Sequence, residues 1–168
     1  MTKKINTKDL ISKIEKITKA RIASQDVVPL DKFRETKKKE EPKTILVIDD
    51  DETMRASIKR ILESDGYLVK LAAQANELSE VLDDTPVDLI LLDIGLPWIN
   101  GFELAELLKE TKDLKKIPLV FISGQASQED MRRAFAVGAH DYVKKPFDID
   151  KLKKTVKTLL KISAEENI

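Results

Sequence analysis

At 168 residues the chain is long enough for one domain of ordinary size with its own buried core, plus an extension. It contains no cysteine, which excludes disulfide staples, thiolate metal sites and cysteine nucleophiles. Its 30 basic and 30 acidic residues are unevenly spread: residues 1–43 hold 13 Lys/Arg against 7 Asp/Glu, and the rest hold 17 against 23. No apolar stretch approaches the roughly 20 residues needed to span a bilayer. The opening MTKKINTKDL has lysines without a following apolar block, so no secretory signal is expected and the cytoplasm is the default compartment.

In chain order, Thr7 is placed to cap a helix whose Leu10, Ile14 and Ile17 share a stripe flanked by Lys13, Lys16 and Lys19. Pro29 and the run from Lys37 to Pro42 read as a solvated linker, so residues 1–42 form a basic, partly helical extension. From Thr44 onward, apolar runs alternate with amphipathic stretches. Ile45–Ile48, Leu89–Leu92 and Leu119–Ile122 are apolar without alternation, as expected of strands covered on both faces. Tyr67–Leu71 and Tyr142–Val143 are weaker strand candidates.

Between the strands fall helical patterns. Met54, Ile58, Ile61 and Leu62 share a face, with Gly66 as a stop. Leu78, Val81 and Leu82 form a second set, and Phe102, Leu104, Ala105 and Leu108 a third. Ser127 to Asp130 has the form of a capping box before Met131, Ala134, Phe135 and Val137, with Gly138 closing the helix. Asp148 is suited to cap a last helix with Leu152, Val156, Leu159 and Leu160 inward. Five strands alternating with five helices predict a doubly wound parallel sheet with right-handed crossovers. In such folds chemistry is sought beyond the carboxyl ends of the strands.

Asp49, Asp50 and Asp51 follow the first apolar run, Asp93 follows LILL, and Ser123 follows LVFI. Lys145 and Pro146 follow the last candidate strand. Crowded carboxylates repel one another and invite a hard divalent cation with oxygen ligands, and the expected ion is Mg²⁺. A carboxylate beside such an ion, a hydroxyl and an ammonium group is equipped to attack phosphorus and form an aspartyl phosphate. Asp51 also suits a helix cap, Lys144 a solvated lysine and His140 a surface loop residue.

Four segments carry a resemblance: VIDDDETMR at 47–55, LILLDIGLPWINGFEL at 89–104, IPLVFISG at 117–124 and GAHDYVKKPF at 138–147. Over residues 43–162 the chain resembles the response-regulator receiver family, in its single-domain, chemotaxis-type form, with a tail at 163–168. The resemblance implies a flavodoxin-like sheet of order 2-1-3-4-5. It makes Asp93 the phosphoacceptor, with Asp50 on Mg²⁺, Asp49 assisting or positioning the ion, and the Gly95 carbonyl as a further ligand. Ser123 takes the switch-hydroxyl position, Lys145 pairs with the phosphoryl group before a usually cis peptide, and Tyr142 takes the aromatic switch position. Ser123 replaces the commoner Thr, and Gly95 has no side chain where many relatives carry a polar one.

The implied partners are a sensor histidine kinase or phosphotransfer protein as donor and a downstream protein bound through the face near Tyr142. The implied protein is not an enzyme in the ordinary sense but promotes its own phosphorylation and dephosphorylation. The extension is read as a docking or oligomerisation element, which adds a homodimer to the expected partners. Its single aromatic, Phe33, and one short helix argue against nucleic acid. Two rivals stand beside this reading. One is a receiver-like interaction module that does not cycle. The other is a haloacid-dehalogenase-like phosphatase, because Asp49 to Thr53 fits a D-x-D-x-T opening with Asp49 as nucleophile and Asp51 as general acid.

Overall fold

Five parallel strands lie in the order β2-β1-β3-β4-β5. They are β1 (Thr44–Ile48), β2 (Leu68–Ala72), β3 (Leu89–Leu92), β4 (Leu119–Ser123) and β5 (Asp141–Lys144). The intervening helices are α1 (Glu52–Glu63), α2 (Ala75–Asp84), α3 (Gly101–Glu110), α4 (Gln128–Ala136) and α5 (Ile149–Glu166). This computed structural model describes residues 41–167 and, before them, Ser12 alone. The expected helix at Leu10, Ile14 and Ile17 and the linker from Pro29 onward to Glu40 lie outside the described residues.

The unbroken apolar runs are explained by the layers. Every residue of β1, β3 and β4 is buried, and successive side chains point to opposite faces. Leu46, Ile48, Ile90, Leu92, Leu119, Phe121 and Tyr142 meet Leu78 of α2, Phe102, Leu104, Ala105 and Leu108 of α3, and Ala134 of α4. Ile45, Val47, Leu89, Leu91, Val120, Ile122 and Val143 meet Ile58 and Leu62 of α1 and Leu152, Val156 and Leu160 of α5. Each such side chain contributes about 1.5–3 kcal/mol when fully buried.

The helix ends follow their sequence signals. The Asp51 carboxylate accepts the Met54 N–H at 3.0 Å, and Asp148 accepts those of Asp150 at 2.8 Å and Lys151 at 3.2 Å. Ser127 and Asp130 complete a reciprocal capping box. Gly66 and Gly138 end their helices at φ +89° and +95°, where a Cβ is disfavoured.

Several boundaries differ from the sequence reading: β1 begins one residue earlier, at Thr44, and β5 extends one residue beyond Tyr142–Val143 at each end. β2 runs from Leu68 to Ala72, one residue later than expected, because Tyr67 belongs to the turn out of α1. β4 includes Ser123, so the switch-position hydroxyl sits on the strand's last residue. α5 continues to Glu166, past the expected tail boundary at Ile162. Ser163, Ala164, Glu165 and Glu166 contain no Gly or Pro, so nothing stops the helix where its apolar stripe ends.

Candidate functional site

The register of the sheet brings the strand ends together. Ile48 of β1 pairs with Leu92 of β3, so Asp49 and Asp93 extend side by side from neighbouring strands. The Asp93 N–H donates to the Ile48 carbonyl at 2.9 Å, continuing the ladder past the last paired residue. Ser123 pairs with Lys144 across β4 and β5, and the Lys145 N–H donates to the Ser123 carbonyl at 2.8 Å. Asp49, Asp93, Ser123 and Lys145 are thus positioned by main-chain ladders.

Asp49, Asp50 and Asp93 each offer a carboxylate oxygen, and these atoms all lie within 4.8 Å of one another. The Lys145 ammonium donates to Asp49 Oδ2 at 2.6 Å and lies 3.7 Å from Asp93 Oδ2. Asp49 is 2 % exposed. Its other oxygen accepts the Asp51 N–H at 2.9 Å, and its carbonyl accepts from the Arg55 guanidinium at 2.8 Å. Burial holds the Asp93 carboxyl above the usual carboxylate range; Lys145 and the Gly95 N–H pull it down, while Asp49 and Asp50 push it up. The donor set is all oxygen and crowded with negative charge, which fits a hard divalent cation with retained waters.

Ser123 is buried, its Oγ accepts the Gln125 N–H at 3.1 Å, and its hydroxyl also faces that of Tyr142. The Tyr142 ring is buried against Phe121, with centroids 6.3 Å apart, and its hydroxyl donates to the Gln125 carbonyl. Gln125 is therefore held on both sides, by Ser123 and by Tyr142. At Gly95 a Cβ would stand 4.0 Å from Asp93 Oδ2, so this position leaves the approach to the carboxylate open. The Lys145–Pro146 peptide is cis.

The sequence reading missed two shaping residues. A Cβ on Gly101 would come within 2.5 Å of both the Asp93 carbonyl oxygen and Ile94 Cα, so only glycine lets α3 begin directly behind the Asp93 loop. Its appearance after Asn100, which caps α3 through the Phe102 N–H at 2.9 Å, was the available signal. The second is Trp98. Its indole N–H donates to the Ala73 carbonyl at 2.9 Å, tying the β3–α3 loop to the β2–α2 loop. No sequence pattern announces a bond between such distant loops. His140 lies at the opposite end of β5 from Lys145, and the Asp51 carboxylate is engaged as a helix cap.

A family model described as response regulator receiver domain matches residues 45–157. The chain belongs to the response regulator receiver family. This receiver is 39% identical over 119 residues to the transcriptional regulatory protein YvrH of Bacillus subtilis, covering 70% of this chain and 49% of that one. It is 35% identical over 125 residues to a probable cyclic di-GMP phosphodiesterase of Vibrio cholerae, covering 74% of this chain and 28% of that one. It thus spans half or less of these curated relatives. Among solved structures, it resembles a CheY-like receiver domain from Methanospirillum hungatei with a TM-score of 0.69 and 32% identity, covering 75% of this chain and 99% of that one. The chemotaxis protein CheY4 of Vibrio cholerae follows at a TM-score of 0.65 and 27% identity, covering 70% and 98% respectively. Membership makes this a two-component signalling module and disfavours the phosphatase reading, whose general acid would be the capping Asp51. No helix among the described residues is long and apolar enough to cross a membrane.

Proposed function

We propose that the protein is a cycling response regulator that accepts a phosphoryl group on Asp93 from a phosphohistidine donor in the cytoplasm. The observation that carries this is the convergence of three carboxylates within 4.8 Å with an ammonium group 3.7 Å from Asp93. Asp49, Asp50, Asp93 and the Gly95 carbonyl would hold Mg²⁺, which supplies charge neutralisation at the phosphoryl oxygens.

Asp93 attacks phosphorus through a carboxylate oxygen. Lys145, poised between Asp49 and Asp93, transfers its hydrogen bond from Asp49 toward the incoming phosphoryl oxygens. The Ser123 hydroxyl donates to another of these oxygens. Doing so draws Oγ from the Gln125 N–H, and the Gln125 carbonyl holds the Tyr142 hydroxyl. Phosphorylation thereby reaches the Tyr142 side of the domain through one residue of the β4–α4 loop. The output is binding of a downstream protein through the face formed by α4, β5 and α5. Residues 1–42 act as a basic docking or oligomerisation element; deleting them will change oligomeric state or partner binding, and an unchanged protein refutes that role.

The decisive experiment is intact-protein mass after incubation with a small phosphodonor and Mg²⁺. The wild type gains one phosphoryl group, Asp93→Asn gains none, and EDTA abolishes the gain. Phosphorylation retained by Asp93→Asn refutes the assignment.

A further inference from the structure

Two helices of the domain carry one pattern with opposite charge. Residues 103–110 of α3 read ELAELLKE, and residues 154–161 of α5 read KTVKTLLK. In each, charged residues recur at i, i+3 and i+7, which sets them on one helical face over about 10 Å. Glu103, Glu106 and Glu110 are exposed on α3, as are Lys154, Lys157 and Lys161 on α5. Among the described residues none of the six forms an ion pair. The one cation within the α3 stretch, Lys109, folds away. Its ammonium donates to the Ile117 carbonyl at 2.7 Å and to that of Lys115 at 3.2 Å. The wider surroundings keep the contrast: residues 71–108 contain no Lys or Arg, whereas residues 151–161 hold five Lys and no Asp or Glu.

Shape follows charge. Leu107, at the centre of the acidic stripe, is 54% exposed. Its counterpart in the α5 pattern is Thr158, which lines a hollow of about 340 Å³ together with Lys154, Thr155 and Leu159. The one carboxylate there, Asp141, is already engaged by the Thr155 hydroxyl at 3.1 Å and the Tyr142 N–H at 2.7 Å. The hollow has room for a leucine side chain. Within one molecule the two stripes cannot meet, because α3 packs through Leu104, Ala105 and Leu108 on one face of the sheet and α5 through Leu152, Val156 and Leu160 on the other.

We infer that the acidic stripe of α3 docks on the basic stripe of α5 in a second copy of this chain. Leu107 enters the hollow beside Thr158, and the three glutamates face the three lysines. The two surfaces differ, so the contact is heterologous: each copy keeps one free stripe of each sign, and association runs head to tail. An exposed ion pair changes affinity by at most about fivefold, so three multiply to no more than about a hundredfold. The contact is therefore weak by itself and acts where copies are already concentrated. Neither stripe contains a residue of the carboxylate site, so docking is independent of the phosphoacceptor reading.

The test is static light scattering of the full chain from about 10 μM to about 1 mM, in about 0.02 M and about 0.5 M salt. The weight-average mass will rise with concentration at low salt, and the midpoint will move at least about tenfold higher at high salt. The triple variants E103K/E106K/E110K and K154E/K157E/K161E will each stay monomeric, since each sets like charges face to face; melting followed by circular dichroism checks that both fold. Mixed one to one, they will associate again, because the acidic α5 of one meets the basic α3 of the other. Leu107→Ala keeps every charge and will weaken association roughly fivefold, through lost apolar burial alone. A wild type that stays monomeric to about 1 mM at low salt overturns the contact. So does either triple variant associating as the wild type does, or a mixture no more associated than its components.

Discussion

Replacing Asp93 by Asn will stabilise the metal-free protein even as it abolishes phosphorylation. The Asp93 carboxylate is 12% exposed and lies 3.7 Å from the Lys145 ammonium, an attraction worth about 4.5 kcal/mol at an effective dielectric of about 20. Against it stands the Asp49 carboxylate, within 4.8 Å and itself paired to the same lysine, a repulsion of about 3.5 kcal/mol on the same basis. Asp50 adds repulsion that solvent reduces, because its side chain is exposed. The two leave a net attraction of only about 1 kcal/mol, small enough for desolvation and Asp50 to decide the sign. Both disfavour the charged form, in agreement with the raised carboxyl of Asp93.

The amide removes the charge at nearly constant volume, so Asp93→Asn is expected to gain on the order of 1–2 kcal/mol at neutral pH in EDTA. That corresponds to a rise of about 3–10 °C in melting temperature for a domain of this size. Thermal and urea unfolding followed by circular dichroism will measure it. With saturating Mg²⁺ the gap will narrow, because the ion binds the folded wild type better than the variant. An Asp93→Asn protein less stable than wild type in EDTA would show that Lys145 more than compensates the crowding, and would refute the reasoning.

Gly101→Ala will destabilise the domain by about 1–3 kcal/mol, since its Cβ meets main chain at 2.5 Å where nothing can rotate away; denaturation compared with the surface control Gly124→Ala, which meets nothing within 4 Å, will show the contrast. Tyr142→Phe removes the bond to the Gln125 carbonyl, at a cost of about 0.5–1.5 kcal/mol, and will change the NMR shifts of Gln125 and Ser123 more than those of α2. His140 gives a pH signature. Burial, then the nearby Lys109, lower its pKa from the ordinary 6.5, while Glu166 opposes them. Its Nδ1 accepts the Leu119 N–H at 3.3 Å, which requires that nitrogen unprotonated. The folded state therefore binds the proton less readily than the unfolded chain, so this stability is complete above about pH 6.5 and is lost as pH falls through the lower folded value. Relative to His140→Gln, the wild type will lose melting temperature below pH 6.5; parallel profiles would remove His140 from the account.

The sheet was legible because its central strands are covered on both faces. ILVI, LILL and LVFI leave no polar alternation, and all three prove fully buried. The edge strands were harder. LVKLA of β2 and DYVK of β5 each keep exposed residues, Lys70 and Lys144 among them, so the apolar signal is short and its ends drift by a residue. That the candidate site residues converge at one edge was legible for a topological reason: in a parallel sheet the residues that follow the strands gather at one end. What could not be read were the contacts made between elements. The partner of Lys145 nearest in space is Asp49, 96 positions away, and not the proposed acceptor Asp93. The Trp98 bond to Ala73 and the approach of Gly101 to Asp93 likewise depend on how two loops meet.

The same geometry explains why so unfavourable a cluster can exist. Asp49 and Asp93 stand one residue past Ile48 and Leu92, which are completely buried; Ser123 follows the buried Ile122, and Lys145 stands two residues past the buried Val143. These four residues bind the strand ends to both layers of the core. The repulsion at the edge amounts to a few kcal/mol, comparable to the burial of only one or two such side chains. The fold thus tolerates the crowding without removing it. Under the proposed function a cation and a phosphoryl group would be the two additions that relieve it, one by supplying positive charge and the other by giving Lys145 and Ser123 a new acceptor. Ser123 would then turn from Gln125 toward that acceptor, and the change would reach Tyr142 through the Gln125 carbonyl.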